Sequence, residues 1–141
     1  MLSGQIGRIF FSRIMEDEDL IEAIKKRVEE TGAKAGFFNV IGALKKVTLG
    51  IYEGGKYEYI RLDGPLEIAS CMGNIAVGEK GEIMFHAHIV VSNEKGEAFG
   101  GHLMKGSSVG VTAELVIAEV VGVKLQRALD EKTKLNLLKL D

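Results

Sequence analysis

Cysteine and proline occur once each in the 141 residues, and tryptophan not at all. A lone cysteine, Cys71, builds no intrachain disulfide framework and no C-x-x-C metal site, so a reducing, cytoplasmic setting is expected. Its neighbours Ile68, Ala69 and Met72 mark it as a small buried hydrophobe rather than a nucleophile. Arginine is also scarce, with five residues (Arg8, Arg13, Arg27, Arg61 and Arg127), none adjacent to another. The basic stretches Lys25-Lys26-Arg27 and Lys45-Lys46 are short and read as solvated faces. With a net charge of −2 and a pI near 6.0, the chain has no broad attraction for nucleic acid or anionic membrane. No apolar run approaches a membrane span, and no signal-peptide pattern opens the chain. The glycine-rich G-x-G-x-x-G and P-loop patterns are missing, which argues against a nucleotide-binding fold.

What is present describes an ordinary globular chain: 46% hydrophobic and 27% charged, enough for one domain spanning residues 1–141. Gln5 to Met15 alternates as a strand. Asp19 then reads as the N-cap of a helix, with Glu22 completing a capping box and Leu20, Ile21, Ile24 and Val28 on its apolar side. Gly32 stops the helix, and the acid run Glu16-Asp17-Glu18-Asp19 is a helix start before it is a metal site. From Ala35 onward the pattern is β. Strands are expected at 36–41 and 47–53 with a kink at Gly42, a hairpin turn at Gly54-Gly55, and a strand at 57–62. A turn at Asp63-Gly64-Pro65 should precede a strand at 66–77, and Gly78 to Gly81 should turn into the next. Val109 to Val121 is apolar on both faces, so both faces should be covered, the second by another subunit. Residues 123–140 read as a peripheral strand or short helix. The expected fold class is α+β: a mostly antiparallel twisted sheet, one helix in the N-terminal half, and a short C-terminal element.

The chemistry lies in the three histidines, which fall within seventeen residues as His86-Ala87-His88 and Gly100-Gly101-His102. In a strand, positions 86 and 88 leave the same face, about 7 Å apart. Asn93-Glu94-Lys95-Gly96 suits a type I turn with Gly96 left-handed, which makes the intervening segment a hairpin. That register sets His88 opposite His102, with Cβ atoms roughly 5 Å apart. The other face then carries Phe85, Ala87, Ile89, Val91, Phe99 and Leu103, a core face, while Ala98 and Gly100 leave room beside the rings. Three neutral imidazoles with an open fourth position make a site suited to Zn²⁺. A tight Gly78–Gly81 turn places Gly73 or Asn74 beside His86, as a gap or as an amide supporting the ligand.

These residues resemble the plants-and-prokaryotes conserved (PPC) domain, also found in plant AT-hook nuclear proteins. The resemblance runs through Gly73-Asn74-Ile75, His86-Ala87-His88, Gly96, Gly100-Gly101-His102-Leu103, Thr112-Ala113-Glu114-Leu115, and Arg13 followed by the acidic helix start. It implies a mixed sheet with a flanking helix, a homotrimer, and a metal site at His86, His88 and His102. The Arg-Gly-Arg-Pro hook with which plant members read the A·T minor groove is not in this sequence, so DNA binding by the chain alone is expected to be weak. A more distant, fold-level similarity to the α-acetolactate decarboxylases supplies an alternative. In it the chain is a zinc-dependent lyase or hydrolase acting on a small 2-oxo or hydroxy acid, with Glu67 or Arg61 as assisting groups. The leading expectation is a cytoplasmic, homotrimeric, metal-binding interaction module, with an association with DNA that only the family resemblance implies.

Overall fold

The computed structural model describes residues 1–139. Strand β1 (Gln5–Met15) leads to helix α1 (Leu20–Thr31), followed by β2 (Gly36–Glu53), β3 (Lys56–Val77), β4 (Ile83–Ser92), β5 (Ala98–Leu103), β6 (Ser108–Val121), β7 (Gln126–Leu129) and β8 (Asn136–Lys139). The strands form one sheet in the order β1-β6-β2-β5-β4-β3-β7-β8, and β2 also pairs with β3. Thus β2, β5, β4 and β3 pair in a closed cycle. All pairings are antiparallel except that of β3 with β7. The expected α+β class with a single helix holds.

Helix α1 begins and ends as its residues dictate. The Asp19 carboxylate accepts from the Glu22 amide at 3.2 Å, and Gly32 closes the helix in the left-handed region at φ 73°. Leu20, Ile24 and Val28 face a core formed with Ile14, Phe38, Val40, Leu49, Ile75, Ile89, Leu115 and Ile117. Only one face of the sheet is covered in this way. The opposite face leaves Phe11, Phe37, Ile41 and Met72 exposed.

Two expectations about the strands change. Residues 36–53 form one strand, because Gly42, at φ 137°, lets β2 bend without breaking. Asp63-Gly64-Pro65 is no turn, and β3 runs through it. Two steps along β2 (Leu44 to Lys46) oppose three steps of β3 (Leu66 back to Asp63), a bulge at which a proline lacking its N–H is tolerated. The two-sided apolar strand is covered on one face only within the chain. Val109, Ala113, Leu115 and Ile117 are buried, while Val111 is 76% exposed beside a register shift between the Gly42–Ala113 and Leu44–Val109 pairs. The C-terminal element is the β7–β8 hairpin; Leu140 lies outside the described residues.

Candidate metal centre

The histidine hairpin has the expected register. His88 pairs with His102, Val90 with Gly100 and Ser92 with Ala98. Gly96 closes the turn at φ 74°, its amide donating to the Asn93 carbonyl at 2.9 Å, while the Asn93 side-chain oxygen accepts from Lys95 and Glu97 at 3.0 Å each. Ala87, Ile89, Val91 and Leu103 are buried on the far face, so alternation forces all three imidazoles outward. Ring centroids stand 4.9 Å apart for His86–His88, 5.0 Å for His86–His102 and 5.6 Å for His88–His102. One nitrogen from each ring lies within 4.8 Å of the others, and the Nε2 atoms of His86 and His88 are 3.0 Å apart.

This donor set fits an ion. Nitrogens held at 2.0–2.1 Å by a tetrahedral zinc are about 3.3 Å apart, so the closest pair needs only a small spread. The buried His102 Nδ1 has no hydrogen-bond partner, an orphaned atom of the kind a ligand or ion satisfies. Burial first, then His86, His88 and Arg127, push the His102 pKa down to about 4. His86 is lowered for the same reasons, with burial ahead of His88 and Arg127. At neutral pH both rings are therefore uncharged and keep a lone pair to donate.

The surroundings explain several residues and add two. Gly73 pairs with Ala87 on the core face, and Asn74 pairs with His86. Gly73 is not a gap beside the ligands: a Cβ there would strike the Phe38 ring and come within 2.7 Å of the His86 carbonyl oxygen. Gly50 pairs with His102, and its missing side chain admits Tyr57, whose ring lies 5.1 Å from that of His102. Asn74 does not bond a histidine. Its Oδ1 accepts from Arg127 at 2.6 Å. Arg127, only 6% exposed, and Tyr57 join His86 and His102 in lining a cavity of about 170 Å³. Neither residue was signalled by any local motif.

The assisting groups considered from the sequence lie elsewhere. Glu67 pairs with Ser92 and Arg61 with Thr48, and neither lines a cavity touching the histidines. The acid run is structural: Lys45 bridges Glu16 and Asp17 at 2.7 Å each, and Glu18 meets Arg27 at 2.9 Å.

On the same sheet face, paired residues run in register from the apolar strands to the histidines. One row is Phe11, Val116, Asn39, Met72, His88, His102, and its neighbour is Ile9, Ala118, Phe37, Asn74, His86. The candidate metal centre and the exposed apolar surface are one continuous face.

Known proteins share this fold. A metal-containing protein from Archaeoglobus fulgidus is 30% identical with a TM-score of 0.88, covering 99% of each chain. A plant- and prokaryote-conserved protein from Pyrococcus horikoshii is 33% identical with a TM-score of 0.89, covering 99% of this chain and 98% of the other. A structure from Bacteroides thetaiotaomicron, named as a candidate DNA-binding protein, shares the fold at a TM-score of 0.85 and 24% identity. Among curated proteins, the bifunctional protein GlmU of Synechococcus sp. (strain JA-3-3Ab) is 27% identical over 127 residues, 89% of this chain. The chain spans only 19% of that protein's length. The Plants and Prokaryotes Conserved (PCC) domain matches residues 1–121, and the chain belongs to that family.

Proposed function

We propose that the protein is a homotrimeric interaction module that holds a divalent ion, zinc by preference, on His86, His88 and His102. The observation that carries this reading is the convergence of three imidazole nitrogens within 4.8 Å on one sheet face. An all-nitrogen set with an open position suits Zn²⁺ better than the hard, oxygen-seeking Mg²⁺ or Ca²⁺. The metal-containing relative from Archaeoglobus fulgidus supports it. Self-association is supported by the apolar face leading to the site, where Phe11 is 81% and Met72 58% exposed. Elemental analysis of untagged protein should find about one metal per chain. Metal-free protein that takes up no zinc on dialysis would remove the reading.

Association with DNA, the name given to two relatives of 24% and 23% identity, is at most weak for this chain alone. The alternative, a zinc-dependent lyase or hydrolase acting on a small 2-oxo or hydroxy acid, is favoured by the cavity beside His86 and His102. A bound zinc would supply Lewis acidity there. Screening such acids for metal-dependent turnover tests it, with His102→Ala expected to abolish activity.

A further inference from the structure

Among the described residues, Arg127 is a buried cation without a counterion. It projects from β7, beyond the residues that match the family, and is 6% exposed. Its Nη1 donates to the Asn136 carbonyl at 3.0 Å and its Nη2 to the Asn74 side-chain oxygen at 2.6 Å, both neutral acceptors. Its Nε–H is buried and has no acceptor. Among the described residues no carboxylate lies within ion-pair distance of it. A buried, unpaired guanidinium is costly, and one with an unused donor is poised for an anion.

The position of Arg127 says which anion. The cavity it lines is shared with His86 and His102 and walled in part by Tyr57, Phe85 and Leu137. At about 170 Å³ the cavity is smaller than pockets that take drug-sized molecules, so the occupant is small. The aromatic and aliphatic walls suit an anion carried on a short carbon skeleton rather than a bare phosphate. We infer that Arg127 and the histidine-held ion form a two-part site for a small carboxylate, with the guanidinium as the anion's protein anchor. This rests on the metal reading above.

Electrostatics gives the inference a thermodynamic signature. A dication on the histidines and the guanidinium repel each other, and a carboxylate between them relieves both. Coupling between two ligands is reciprocal, so the carboxylate must raise metal affinity by the same factor that the metal raises carboxylate affinity.

Glycolate serves as the probe. Co²⁺ should bind the wild-type protein alone, and glycolate should tighten that binding about tenfold or more. In Arg127→Met, Co²⁺ should bind at least as tightly as in wild type without glycolate, because the repulsion is gone, and the glycolate effect should disappear. A second readout needs no variant: in zinc-loaded wild-type protein the Arg127 Nε–H nuclear resonance should shift on adding glycolate. Failure of Co²⁺ to bind overturns both this inference and the metal reading. Metal uptake with an Arg127 resonance indifferent to glycolate, or a folded Arg127→Met protein that keeps the full effect, overturns this inference alone.

Discussion

Gly73 is placed one residue from the site yet serves the core. Replacing it with alanine would drive a methyl into the Phe38 ring and the His86 carbonyl, overpacking that costs about 1–3 kcal/mol, measurable as a lower urea midpoint. His102 makes a different demand. Its pKa falls from 6.5 in the unfolded chain to about 4 in the metal-free fold, so between those values the unfolded state binds the extra proton. Stability of metal-free protein should therefore decline as pH falls from 6.5 towards 4, and His102→Asn should flatten that part of the profile. Urea titrations across this range check it; an unchanged slope in the variant would assign the effect to other groups. The histidines were legible in the sequence because period-two alternation and one hairpin turn suffice to bring them together. Arg127 was not, because its place depends on β7 docking beside Val77, a single parallel pair with no sequence signature.

Helix α1 shows how much an element can announce itself. Asp19 and Gly32 marked its ends in the sequence and hold them in the fold. Asp19 does more than cap, since its other carboxylate oxygen accepts from the Gly106 amide at 2.7 Å, tying the helix to the segment between β5 and β6. Asp19→Ala should cost about 1–2 kcal/mol, at the upper end for a cap, and Asp19→Asn should recover only part of it, because its single amide oxygen can accept from Glu22 or Gly106 but not both. Thermal unfolding of both variants decides this. The strands were less legible. Proline usually punctuates, but the β3 bulge absorbs Pro65 and keeps Lys56–Val77 continuous, a tertiary accommodation invisible in local composition. Likewise, the burial of β6 on one face and its exposure at Val111 follow from a register shift against β2, not from its own pattern.

At the scale of the molecule, the uncovered sheet face is the proposed trimer contact. Val116 lies in its middle, between Phe11 and Asn39 in the paired row. Val116→Asp should leave the core side of β6 intact but place an unpaired charge in the proposed trimer contact, a penalty of several kcal/mol there. Sedimentation should show a trimer for wild type and a folded monomer for the variant. A wild-type protein monomeric at micromolar concentration would contradict the assembly. The charge distribution makes a separate demand. With a net charge of −2, any duplex DNA binding should collapse with modest salt, because phosphate-driven affinity falls steeply as counterions compete. Tight A·T-selective binding at physiological salt would contradict the reading of the chain as an interaction module rather than a DNA reader.

The three donors come from one hairpin, whereas Arg127 comes from a separate element near the end of the chain. This separates the two halves of the site in the denatured ensemble. An unfolded chain keeps His86, His88 and His102 within a short loop, whose closure costs little entropy, so it retains some affinity for zinc. Ligands that also bind the unfolded state stabilise the fold by less than their native affinity implies. A carboxylate needing Arg127 finds no such partner in the unfolded chain. The metal should therefore raise the melting temperature by less than its tightness implies, whereas the acid's contribution belongs wholly to the native fold.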